Sequence, residues 1–166
     1  MKAILDRRSI RKYTDQKIDK ETIQKILAAG MSAPSARDER PWEFIVVENP
    51  ETLKDMSQLT PYAGMLANAP LGMVICANTN HHLNMEYDSQ DCAAVTENML
   101  IEANYLGIGT CWLGGYPNQD RLDNISQYFN LPEHIKPMWM ISFGYPAEMP
   151  AKKDKWDETK IHWEQY

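Results

Sequence analysis

The chain has 166 residues, 43% hydrophobic and 24% charged, with a net charge of −6: enough length and apolar content for one domain over 1–166 with a sizeable core. No apolar run is long enough to cross a bilayer, and an acidic balance argues against a nucleic-acid binder. The opening MKAILDRRSIRKY lacks an apolar signal-peptide core, and Cys76, Cys92 and Cys111 have no CxxC spacing, so a cytoplasmic protein with reduced core thiols and no membrane partner is expected.

The charge is unevenly spread. Residues 1–40 carry ten Lys and Arg against six Asp and Glu, whereas the remainder has seven against seventeen. Five of the six arginines are Arg7, Arg8, Arg11, Arg37 and Arg40. Arginine is the side chain best shaped for bidentate phosphate contacts. This basic N-terminal stretch is thus either a local anion site or a solvated helix end. RRSIRKY, Arg7–Tyr13, places Arg7 and Arg11 on one face if it forms a helical turn.

Asp19 then reads as a cap for a helix with Ile23, Ile26, Leu27 and Gly30 on its apolar stripe. APSARDERPW follows. Pro34 and Ser35 favour a turn, and Pro41 favours an extended Arg40 leading into Trp42. EFIVVE, 43–48, reads as a strand, and Asn49-Pro50 as cap and first residue of a helix over 51–59. LGMVICA, 71–77, reads as a buried strand. The pattern over 89–106 predicts a long helix, apolar on more than one face and so central or at an oligomer interface, ended by Gly107. TCWLGGY, 110–116, reads as a strand running into a glycine turn. Asn118 caps a helix bearing Leu122, Ile125 and Phe129, and MWMISFGY, 138–145, is a buried strand. The tail from Pro146 is polar, with Trp156, Trp163 and Tyr166 spaced along it. Mixed strands and helices give an α+β or α/β class.

Three patches have the composition of a site for a flat anion. They are RRSIRKY, the stretch APSARDERPWEFIVVENP, Ala33–Pro50, with its turn at Pro34 and Ser35, and IGTCWLGGYP, Ile108–Pro117, where Gly114 and Gly115 let backbone approach a ligand. Other chemistries are poorly supported. Adjacent His81 and His82 do not converge on a metal, and no HExxH or Cys/His spacing follows. Ser9, Ser32 and Ser35 lack a GxSxG context. No side chain reads as a general acid or nucleophile, so an enzymatic reading needs a cofactor to carry the chemistry.

Taken in order, these patches and the tail resemble the nitroreductase family. RRSIRKY looks like its RRSxR signature, APSARDERPWEF like PSxxNxQPWxF, LGIGTCWLGG like the segment after its central helix, and FGYPAEMPAKKDKW like its GYPxExPxxKxR ending. The resemblance covers essentially the whole chain. It implies an α+β fold with a central, mostly antiparallel sheet flanked by helices, an intertwined homodimer, and FMN at the subunit interface. By that resemblance Arg7, Arg8, Ser9 and Arg11 hold the FMN phosphate, ribityl chain and ring edge. Pro34, Ser35 and Ala36 reach the ring from the other subunit. Leu113, Gly114 and Gly115 line the ring, with the Gly115 amide near N5, and Lys153 and Lys155 close on the phosphate. No residue is assigned a catalytic role and no metal is expected. The implied activity is two-electron transfer from NADH or NADPH through FMN to a small acceptor, such as a nitroaromatic or quinone, by a ping-pong mechanism. The alternative is an FMN-binding protein that sequesters or senses flavin without turnover. The family's Asn and Gln are Asp38 and Arg40 here, so Asp38 is free to pair with Arg37 or Arg40. The family's final Arg is Lys155. The short stretch between Asn78 and Ser89 implies an open site, with the aromatic tail as its cover.

Overall fold

A computed structural model of the chain describes residues 2–81 and 83–166, so His82, half of the histidine pair weighed above, lies outside the described residues. Helix α1 spans Lys2–Asp6. An extended arm leads to α2, Lys20–Met31, whose cap Asp19 accepts the Thr22 N–H at 2.9 Å. Strand β1 is Trp42–Val47, and Asn49 caps α3, Pro50–Met56, with Pro50 in its first turn. Strand β2, Leu71–Asn78, leads through residues 79–84 to the long helix α4, Met85–Tyr105. Strand β3 is Gly109–Gly114, helix α5 is Gln119–Phe129 behind its Asn118 cap, and β4 is Ile135–Gly144.

The sheet order is β1-β2-β4-β3, and every neighbouring pair is antiparallel. This bears out the expected antiparallel α+β architecture. β2 is buried along seven of its eight residues because both its faces are covered. Leu71, Met73, Ile75 and Ala77 join α2 and α4 in one core, while Val74 and Cys76 face a second core with Leu53, Met56 and Ile125 from α3 and α5. Such two-sided burial explains its unbroken apolar run. At Gly30 an added Cβ would meet Met99 Cγ at 2.6 Å, so the glycine lets α2 lie close on α4.

Several details differ from expectation, among them α3, which ends at Met56 rather than at 59. α4 starts one turn before Ser89 because Asn84 caps it, accepting the Tyr87 N–H at 3.0 Å. β4 starts at Ile135 rather than Met138; its Pro137 lies beyond the end of β3, where β4 has a single neighbour. Another concerns the arm. α1 ends at Asp6, and Ser9 forms a parallel bridge with Thr110 of β3. Arg7 and Arg11 therefore share no helical face, and the chain there alternates sides instead. Between β2 and β4 the register shifts so that Ile75 opposes Trp139 while Cys76 opposes Pro137. Met138 is the extra residue of this bulge, and Met138 and Trp139 consequently face the same core.

Candidate functional site

The arm meets β3 at one point. Ile10 N–H donates to the Thr110 carbonyl at 2.8 Å. Tyr13 pins the arm: its hydroxyl donates to the Ile10 carbonyl at 2.5 Å and lies 2.7 Å from Ser142 Oγ. Burial pushes the Tyr13 hydroxyl well above its ordinary value, so it remains a neutral donor.

Alternation splits the arginines of the arm. Asp6, Arg8 and Ile10 line a cavity of ≈ 480 Å³ against Tyr105 and Met149. Arg8 is engaged with the chain itself, donating from Nε to the Asp6 carbonyl at 3.1 Å and from Nη1 to the Pro150 carbonyl. Arg7 donates from Nε to Glu97 Oε1 on α4 at 3.2 Å. The Arg11 N–H donates to Glu148 at 2.7 Å. Burial raises the Cys111 thiol, with Arg11 and Ser9 acting in the opposite sense beside it. Arg7, Ser9 and Arg11 thus fall on the side of the arm away from the cavity.

β3 is an edge strand, and the arm covers it only at Thr110. The Thr110 carbonyl points to the arm, so by alternation the backbone polar groups of Trp112 and Gly114 face the same uncovered edge. The Gly114 carbonyl does so visibly: it accepts Arg121 Nη1 at 3.0 Å. From Thr110 to Gly114 this edge is about 13 Å long at ~3.3 Å per residue. The two glycines at its end differ. A Cβ at Gly114 would meet nothing within 4 Å, whereas one at Gly115 would collide with the Met138 carbonyl. The Tyr116 N–H donates to that same carbonyl at 2.7 Å and closes the corner. Leu113 turns its side chain into the α3–α5 core and offers only backbone here.

The loop at Pro34–Arg40 is strained and tightly held. Arg37, Asp38 and Arg40 have φ of 51°, 61° and 50°, a conformation costing a non-glycine residue roughly 1–2 kcal/mol. Ser35 Oγ accepts the Arg40 N–H at 3.0 Å, and Asp91 of α4 accepts the Ala36 N–H at 3.0 Å. Arg40 grips Asp38 with two donors, Nε at 2.7 Å, and this holds the Asp38 carboxyl below its ordinary value. Arg37 has no carboxylate partner among the described residues. No hydrogen bond among them joins Pro34, Ser35 or Ala36 to the arm or to β3, so one chain does not bring these patches together.

Lys153 and Lys155 are exposed, and Lys152 instead pairs with Asp6 at 3.0 Å. Trp156, Trp163 and Tyr166 all project from the fold. Four residues escaped sequence reasoning: Glu97, Asp91, Arg121 and Tyr62. Arg121 alone left a trace, as the one arginine after residue 40. Among the described residues no three His, Cys, Asp or Glu side chains could hold a metal, and no helix is long and apolar enough to cross a membrane.

A family model described as "Nitroreductase family" matches residues 4–61 and 56–145. The chain is 43% identical over 166 residues to a Methanothermobacter thermautotrophicus protein named "Putative NADH dehydrogenase/NAD(P)H nitroreductase", spanning 100% of this chain and 87% of that one. An Archaeoglobus fulgidus protein of the same name is 42% identical over 171 residues, 100% of this chain and 98% of its own. Among solved structures, the FMN-dependent nitroreductase of Clostridium difficile R20291 superposes with a TM-score of 0.92 at 31% identity, covering 100% of both chains.

Proposed function

The chain belongs to the nitroreductase family, and from that premise we propose that it carries two electrons from NADH or NADPH through FMN to a small acceptor, a nitroaromatic or quinone among them, by a ping-pong mechanism. It is an FMN-dependent NAD(P)H oxidoreductase working in the cytoplasm as a homodimer of single-domain chains. FMN, when bound, supplies the two-electron chemistry at N5 that no side chain here could supply.

One observation carries this reading: the uncovered edge of β3, with Arg7, Ser9 and Arg11 near one end and Arg121 at the other. Backbone N–H groups of Trp112 and Gly114 suit the carbonyl and nitrogen acceptors of an isoalloxazine ring, and the open space at Gly114 suits its close approach. Arg7 and Arg11 take the phosphate and ribityl end together with Ser9; Lys153 and Lys155 swing in as point charges on the phosphate. Arg8 acts indirectly, tying the arm to the tail through Pro150. Leu113, Gly114 and Gly115 form the ring wall. Pro34, Ser35 and Ala36 complete the site from the second copy, which accounts for their separation from β3 within one chain. The connection from β2 to α4 is short, and Thr79–His81 forms one tight turn of it, which suits a ring face open to donor and acceptor in succession.

The test is a visible spectrum of purified protein, repeated after anaerobic addition of NADH and then NADPH. Flavin bands that bleach with one nucleotide and return on adding an acceptor are the expected result, and they name the donor. Bands that persist would favour a sequestering protein. No bands after soaking in FMN would overturn the reading.

A further inference from the structure

Arg121 stands in the first turn of α5, where Asn118 Oδ1 accepts its N–H at 3.1 Å. Its side chain reaches back to β3. Nη1 donates to the Gly114 carbonyl at 3.0 Å, and the guanidinium lies 5.1 Å from the centre of the Tyr62 ring, which is 65% exposed. No carboxylate among the described residues pairs with Arg121; nearby Asp123 is occupied by Gln119 at 2.7 Å. α5 is already capped by Asn118 and anchored by Leu122 and Ile125. A guanidinium with no carboxylate partner among the described residues is thus held, by a backbone carbonyl and an aromatic face, at the end of the uncovered edge, within a stretch (41–166) where Asp and Glu outnumber Lys and Arg seventeen to seven.

We infer that Arg121 is a positioning residue for the flavin, one that fixes the Gly114–Gly115 peptide at the edge and lends its charge to the ring, raising the cofactor's two-electron potential. The inference rests on the reading of β3 as the FMN wall. A charge-assisted hydrogen bond to the Gly114 carbonyl is stronger than a neutral one and resists rotation of that peptide. The same bond polarises the peptide. A guanidinium beside the ring favours the more negative, two-electron-reduced form by a Coulombic effect that grows as water is excluded. Tyr62 holds the guanidinium without neutralising it.

The experiment is an equilibrium redox titration of the holoprotein against a reference dye, with FMN affinity measured alongside, for wild type, Arg121→Gln and Arg121→Lys. Arg121→Gln should lose about tenfold of the preference for reduced over oxidised cofactor, a fall of ~30 mV for a two-electron couple. Arg121→Lys, which keeps the charge, should stay within about threefold of wild type, ~15 mV on the same scale. An unchanged potential in Arg121→Gln overturns the inference. So does a lysine variant that falls the full tenfold, a result that stands alone should the glutamine variant fail to retain FMN. Wild-type protein that takes up no FMN overturns the underlying reading, and this inference with it.

Discussion

Arg7 and the two glycines of the β3 corner can be tested by substitutions that separate binding from folding. Arg7 meets Glu97 at a partly exposed site, so Arg7→Ala should disturb the fold little. It should weaken FMN binding by roughly 1.5–3 kcal/mol, the scale of a lost hydrogen bond to a charged group. Fluorescence titration of the apoprotein reads this directly, and unchanged affinity would remove Arg7 from the phosphate. Gly114→Ala places a methyl group in open space. It should leave thermal stability within about 0.5 kcal/mol of wild type, as surface substitutions usually do, while lowering FMN affinity at least several-fold. Gly115→Ala drives a methyl into the Met138 carbonyl and should destabilise by ~1–3 kcal/mol, the usual scale of overpacking. Equal loss of stability in the two alanine variants would refute this division of labour.

At the scale of elements, the start of α2 carries a pH signature. Hydrogen bonds from the Thr22 N–H and hydroxyl hold the Asp19 carboxyl below its ordinary value. A carboxyl depressed in the folded state contributes stability that is present above its unfolded value and lost as pH falls through the folded one. Asp19→Ala should therefore melt lower than wild type at pH 7, with the gap closing as pH drops into the carboxylate range. A gap independent of pH would mean that the cap contributes no charge-dependent stability. Caps of this kind are also what the sequence makes legible, because each is decided within three or four residues: Asp19, Asn49 and Asn118 were all foreseeable, as was Gly107, whose φ of 80° ends the turn after α4. The extended arm is not legible locally because its conformation is set by Thr110, about a hundred residues away. The left-handed backbone at Arg37, Asp38 and Arg40 was hidden because none of them is glycine. The uncovered edge depends on β4, the last strand, inserting between β2 and β3, and no local pattern encodes that order. Arg121 stood out only as the one arginine after residue 40; its contact was hidden, since Tyr62 is 59 residues away in the chain.

For the molecule as a whole, the tail is the part least bound to the rest. After Lys152 the hydrogen bonds it makes among the described residues are local ones, such as Trp156 N–H to Asp154 and Thr159 N–H to Asp157. Removing the residues after Trp156 should leave the melting temperature unaltered and change the ratio of kcat/KM between large and small acceptors. Unchanged kinetics would take the tail out of any covering role. The bulge at Met138 has a different kind of reach. It acts as a frameshift within β4: residues after it point to the opposite cores from those an uninterrupted strand would give them. Deleting Met138 would restore a regular alternation with β2, whereas deleting Ile141 would throw the last residues of β4 out of phase with both cores. The ladder itself does not call for the extra residue, although its side chain is wholly buried in the core. Its carbonyl, however, receives the Tyr116 N–H and abuts Gly115, so the chain keeps a phase error in one strand to shape a corner on its neighbour.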